Sequence, residues 1–401
     1  MRGLHKLQSG IGQMTSKIQT KSRNLPPLHL AIPAVVGAWA IAFEIPHLIG
    51  MIAHEPAASD FRLFYVAAEA GLKWGWPHLY DPAKQQELSL AFSPGGPAIS
   101  PAYAYQNPPL LAWLVAPLTL VALPAAFFAW TALNVTALVA AWRLASPGTG
   151  FARATVLLVT LAVWPTVFSL ERGQAVLVTY ALAVGCWWLA ARRHEVFAGL
   201  LLGLASAIRP QDVALLPVVL LLCGFWRSAV YWLATTVALW AAFALVLGAN
   251  GVGTYLAVLA WAASDPSYTA TPVFAPFGAR TSLILGQAAI AVVALAAVWR
   301  QRRTFNVAFA IGLLGTAMSA IHVHEYDYVG LIVAAWLALA EPTSALEFVW
   351  MAIGVVCMQL PLIGMRLPIL IWQPVWLLML TLRRRRPVLA AAQAIAAASA
   401  D

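Results

Sequence analysis

The stretch LHLAIPAVVGAWAIAFEIPHLIGMIA, Leu28–Ala53, contains one acid, Glu44, and no lysine or arginine. A helix needs roughly 20 apolar residues to cross the hydrocarbon core of a bilayer, and this run supplies them. Outward from it the pattern repeats, with apolar runs recurring as far as Leu382. Of 401 residues, 62% are hydrophobic and 10% are charged, against roughly 25% charged in a soluble domain. The composition therefore predicts an all-α polytopic membrane protein. Its net charge of +9 is not a nucleic-acid footprint, because most basic residues sit in short clusters between apolar runs. Such clusters mark cytoplasmic loops. Cys186, Cys223 and Cys357 lie inside apolar runs and read as small buried hydrophobes.

Residues 1–27 carry Arg2, Lys6, Lys17, Lys21 and Arg23 and no acid, so they read as a basic cytoplasmic segment. The apolar run that follows is too long for a signal peptide and lacks a small-residue cleavage pattern. One transmembrane domain is expected over 28–382, with a cytoplasmic tail at 383–401. Counting crossings from an inside N-terminus gives about twelve, with every basic cluster on one side. Pro117 and Pro124 interrupt 107–142, which reads as one crossing plus a broken or re-entrant half-helix. On the other side fall the segment 54–106, the turn at Gln174, the turn at Arg209, a long loop at 249–280 and the His322 cluster. Within 54–106, Phe61, Phe64, Tyr65, Ala68 and Leu72 share one helical face, with Arg62, Glu69 and Lys73 on the other. Trp74 and Trp76 follow, as aromatic anchors do. That pattern predicts an interfacial helix lying on the outer membrane surface.

The polar residues outside the basic loops each carry two readings. Asp60 is a good N-cap, or a carboxylate facing a cavity mouth; Arg62 pairs with Glu69 or with a lipid phosphate. Gln106-Asn107-Pro108-Pro109 is a plain helix start, or one that aims backbone N–H groups at an anion. Arg209 is a snorkelling helix end, or a cation placed for function between two apolar runs. His322-Val323-His324-Glu325-Tyr326-Asp327 packs two imidazoles and two carboxylates together. Nothing in that spacing fixes a tetrahedral metal set; an ordinary polar loop and a phosphate-holding site both fit it.

Five stretches, in order, resemble one family. They are Asp60-Phe61 with Tyr65, Tyr105-Gln106-Asn107-Pro108-Pro109, and Gly173-Gln174. The fourth runs from Ala198-Gly199 through Gly203-Leu204-Ala205 to Arg209-Pro210, and the last is His324-Glu325-Tyr326-Asp327. From about Asp60 to Asp327 the chain is similar to glycosyltransferase family 87, of the GT-C superfamily. The resemblance is strongest to polyprenol-phosphate-mannose-dependent α-mannosyltransferases. It implies a GT-C-like helical bundle in a bacterial inner membrane, with both termini cytoplasmic. The implied reaction moves a sugar, mannose as the first guess, from a polyprenyl-phosphate donor to a hydroxyl of a glycolipid or glycan acceptor on the outer face. Asp60 matches the family's base, which gives inversion. Arg62, Tyr65, Asn107, Gln174, Arg209, His322, His324 and Asp327 are the matching candidates for substrate and phosphate contacts. No metal and no cofactor beyond the lipid-linked sugar is implied; the partners are membrane lipids, the donor and the acceptor. The rival class is a transporter or flippase for a lipid-linked sugar, which uses similar cationic pockets but places polar residues near the midplane.

Overall fold

A computed structural model describes residues 28–56, 59–92, 99, 104–264, 280–320 and 322–383. The expected segment 1–27, the tail beyond Arg383 and Asp265 in the 249–280 stretch lie outside the described residues. Among the described residues every regular element is helical. We number the principal helices α1 (Leu28–His54), α2 (Phe61–Trp74), α3 (Pro82–Phe92), α4 (Pro109–Val115), α5 (Leu123–Ala145), α6 (Gly150–Ala162), α7 (Trp164–Arg172) and α8 (Val176–Ala191). The second half comprises α9 (Glu195–Ile208), α10 (Leu216–Leu222), α11 (Trp226–Ser264), α12 (Arg280–Gln301), α13 (Phe305–Ser319), α14 (Val329–Leu339), α15 (Ala345–Gln359) and α16 (Leu367–Leu382).

Five described helices are long and apolar enough to cross a bilayer, or six if α6 and α7, bent by 53°, form one span. The other apolar helices are shorter. At 14 residues, α9 rises roughly 21 Å, less than the hydrocarbon thickness of roughly 30 Å. Length and composition alone thus carry five or six crossings, and a count of about twelve needs the shorter apolar helices to cross as well. The outward faces of the long helices are apolar, with Trp39, Val35, Leu245 and Val292 all exposed. Water would penalise such a surface and lipid does not, so the chain is a membrane protein.

Proline marks starts more than breaks. Pro124 stands in the first turn of α5 and Pro117 in a 3-10 turn at Ala116–Leu120, so the interruption within 107–142 falls at 121–122. Gly248, with φ +64°, breaks α11 at the boundary expected from sequence. The chain then returns to helix as far as Ser264, so the long loop expected from 249 is helical in its first half.

The interfacial helix also needs correction. In α2, Phe61, Arg62, Phe64, Tyr65, Val66, Ala67, Ala68, Ala70 and Gly71 are all buried, while Leu72 is exposed. The helix is packed inside the protein rather than laid on a membrane surface. Lys73 pairs with Glu87 at 3.5 Å. Trp76 lies against Gly71, where a Cβ would come within 2.4 Å of its ring, and meets Trp113 edge-on at 6.0 Å.

The two kinds of loop gather at different places. Arg193 lies over Phe225 at 5.1 Å, Phe225 packs on Phe305 at 4.5 Å, and Gln301 donates to the carbonyls of Leu380, Thr381 and Arg383. These basic connections therefore meet one another. The connections after Ser59, Gly173, Ile208 and Ala320 meet at the other end of α9, as described next.

Candidate active site

Asp60 directly precedes α2. Its backbone is helical (φ −73°, ψ −20°) and its side chain makes no capping bond. The carboxylate instead accepts a 2.7 Å hydrogen bond at Oδ2 from Gln174 Nε2. Two features bring Gln174 there. Gly173 ends α7 in the left-handed region (φ +66°), which glycine adopts without steric cost. A Cβ on it would lie 2.6 Å from Phe61 Cβ, so only glycine allows this turn to press on the start of α2. Trp130 Nε1 holds the Gly173 carbonyl at 2.8 Å, and Phe61 stacks on Phe127 and Trp130 at 5.1 and 5.9 Å.

Behind Gln174 lies Arg209, which follows the last residue of α9. Its NH1 donates to Gln174 Oε1 at 2.9 Å, its Nε to Asp212 Oδ2 at 2.6 Å and its NH2 to Asp327 Oδ1 at 2.5 Å. Asp327 Oδ2 accepts from the His324 N–H at 2.7 Å, and its carbonyl accepts from the Tyr180 hydroxyl at 3.2 Å. His322 and His324 share one hydrogen bond between their Nε2 atoms, 2.7 Å apart. Gln174, Arg209, Asp212 and Asp327 are buried; Asp60 is partly open. Among the described residues no three His, Cys, Asp or Glu side chains cluster to hold a metal ion.

Burial pushes the Asp60 carboxyl above its ordinary value, a rise that the Gln174 hydrogen bond and the charges of Arg172, Arg209 and Arg62 partly offset. Burial also lowers both imidazoles. His322 falls to about 3, aided by His324 and Arg209, and His324 to about 4, aided by Arg209, Arg366 and Arg172. The pair is neutral at physiological pH.

The structure thus joins Asp60, Gln174, Arg209, Asp327 and His324 in one hydrogen-bonded chain, with His322 bonded to its end. Arg62 is buried at the start of α2, where its charge bears on Asp60. Tyr65 points elsewhere. Its hydroxyl donates to the Val121 carbonyl at 2.8 Å, and it lines a cavity of about 450 Å³ with Pro56, Phe92, Thr119 and Leu123. Neither Asp60 nor Arg209 lines that cavity. Asn107 offers its carbonyl to the Tyr80 hydroxyl at 2.8 Å. The anion site expected after it is occupied from within, because Ala112 N–H donates to the Tyr105 hydroxyl at 3.1 Å and Leu111 N–H to the Pro108 carbonyl at 3.2 Å.

Three contributors went unassigned at the level of sequence. Asp212 stands three residues past Arg209, a spacing that signals an ion pair. Glu325 accepts from Trp164 Nε1 at 2.7 Å and from Arg366 at 3.2 Å, tying the α6–α7 bend to the histidine loop. Arg172 lies beside Gln174 with its guanidinium over Phe168 at 5.0 Å.

A family model described as glycosyltransferase family 87 matches residues 105–323, which include Asn107, Gln174, Arg209 and His322. No curated protein matches the chain, and no solved structure matches it.

Proposed function

The chain belongs to glycosyltransferase family 87, and from that premise we propose that it transfers a hexosyl group from a polyprenyl-phosphate sugar to an acceptor hydroxyl at the end of the bundle where Asp60 lies. The observation that carries this reading is Asp60, a half-buried carboxylate that caps nothing and is held through one oxygen by Gln174. In the proposed step the acceptor oxygen bonds to the anomeric carbon as the bond from that carbon to the phosphate oxygen breaks. The electron pair leaves on the polyprenyl phosphate, and the hydroxyl proton passes to Asp60 Oδ1. One carboxylate on the face opposite the leaving group gives inversion, by analogy with inverting glycosidases.

The leaving group is already an anion and needs stabilising cations rather than a general acid. Arg209 was the first candidate from the sequence, but two carboxylates engage it. Arg172, whose charge reaches both Asp60 and His324, suits the donor phosphate better, as does Arg366, half-exposed and paired with one carboxylate, that of Glu325. Neutral His322 and His324 suit hydroxyl positioning. The proposed site lies on the extracytoplasmic side of a bacterial inner membrane, with the basic loops cytoplasmic. Mannose is the proposed sugar, and a membrane glycolipid or glycan the acceptor.

The test is incubation of protein reconstituted in liposomes with radiolabelled polyprenyl-phosphate hexoses and native membrane lipids, followed by lipid analysis. A new labelled glycolipid, with inverted anomeric configuration, is the expected product. Passage of intact donor across the bilayer without transfer would instead establish a transporter. The step as written needs no metal, so transfer is expected to persist in excess EDTA. Loss in chelator, restored by one divalent ion, would contradict it.

A further inference from the structure

Behind Asp60 one guanidinium is shared by two buried carboxylates. Arg209 meets Asp212 at 2.6 Å and Asp327 at 2.5 Å, and burial, only partly offset by Arg209, pushes the Asp212 carboxyl up to about 7. A donor phosphate reaching Arg209 would displace a carboxylate already in place. The remaining guanidinium contact is NH1 to Gln174 Oε1, at 2.9 Å. A guanidinium only donates, so the amide oxygen of Gln174 must face Arg209 and the amide nitrogen must face Asp60. The bonding partners therefore settle the orientation of the Gln174 amide.

Each carboxylate is itself fixed. Asp327 is held at its other oxygen by the His324 N–H and at its carbonyl by Tyr180. Asp212 follows Arg209 within a single 3-10 turn, Pro210–Asp212, with its backbone N–H bonded to the Arg209 carbonyl at 3.2 Å. We propose that Asp212 and Asp327 are positioning residues for Asp60: they fix Arg209, Arg209 fixes the Gln174 amide, and the amide holds Oδ2 of Asp60 so that Oδ1 is presented to the acceptor. This rests on Asp60 being the base. It gives Arg209 a part in orienting the base in place of one in binding the donor.

The test compares Gln174→Glu and Asp212→Asn with the unchanged protein in steady-state transfer over a range of pH. In Gln174→Glu the side chain keeps its size and its bond to Arg209, but it turns an acceptor toward Asp60 where a donor stood. The other groups that bear on Asp60 stay in place: Arg62, Arg172, Arg209 and Tyr326. Asp60 then holds its proton to higher pH. The acid limb of kcat/KM is expected to move up by about one unit or more, with donor KM within about threefold. Asp212→Asn is expected to lower kcat about tenfold at unchanged donor KM. A donor KM raised tenfold with the acid limb in place would overturn the proposal and return Arg209 to donor binding. If Asp212→Asn fails to fold, the near-isosteric Gln174→Glu carries the test alone. Retained turnover in Asp60→Asn overturns the base assignment and this proposal together. An inactive Asp60→Asn with an unmoved limb in Gln174→Glu overturns this proposal only.

Discussion

A carboxylate must be ionised before it can accept a proton, and that condition sets the pH behaviour of Asp60. Its burial raises the carboxyl above the model-peptide value of 3.8. Activity is therefore lost as pH falls through a midpoint above the ordinary aspartate value, and is present above it. His322 and His324, lowered to about 3 and 4, are neutral at physiological pH. The expected kcat/KM profile has one acid limb, and His324→Gln leaves its midpoint where it was. Disappearance of the limb in that variant would make a histidine the titrating group instead. Arg209 could be singled out from sequence because a cation between two apolar runs is costly there; Asp60 could be singled out only through the family resemblance, since its own pattern also fits a helix cap. How these residues pair with one another could not be read. Whether Arg209 faces a ligand or two carboxylates depends on a contact 118 residues away in the chain, and no local pattern encodes it.

At the scale of the helix, α9 delivers Arg209 and is seated by two glycines on one face. A Cβ on Gly199 would lie 2.5 Å from the Ser228 carbonyl and from Tyr231 Cβ, and one on Gly203 would lie 2.6 Å from Thr235. Small residues four apart let two membrane helices approach closely, and here they admit α11. Replacing Gly199 by Leu is expected to cost about 1–3 kcal/mol through overpacking. Differential scanning fluorimetry in detergent should show a lower melting temperature, with activity lost in parallel. An unchanged melting temperature would mean that the two helices do not meet this closely. The helix at 61–74 could be placed from its periodicity, but its surroundings could not. An amphipathic stripe with tryptophans after it has the same pattern whether the second partner is a headgroup layer or another helix. The packing of Phe61 on Phe127 and Trp130 decides for protein. The break at Val163 is announced by Pro165, which stands in the first turn of α7 and has no N–H with which to continue the helix before it. It is held from outside by Gln359, which accepts from the Trp164 N–H at 2.9 Å.

For the whole molecule, charge and polarity divide the two ends. Alternating basic clusters predicted which connections lie together, and the structure joins the non-basic ones, at Asp60, Gln174, Arg209 and Asp327, by hydrogen bonds. The number of crossings was less legible, because an apolar run of 14 residues looks alike whether it crosses lipid or stops within protein. The proposed topology predicts that a cysteine at exposed Glu87 reacts with an impermeant thiol reagent from outside intact cells, and that one at exposed Arg303 does not. The reverse labelling would put the site on the cytoplasmic side. The central claim is that this assembly exists to present one base, and Asp60→Asn tests it most directly. Asparagine keeps the size of the side chain and caps a helix about as well as aspartate, but it cannot take a proton. Reconstituted Asp60→Asn protein is expected to label with the same topology and bind the lipid donor, while turning over at least about 100-fold more slowly. Turnover above roughly a tenth of normal would contradict the account, because a general base contributes more than that.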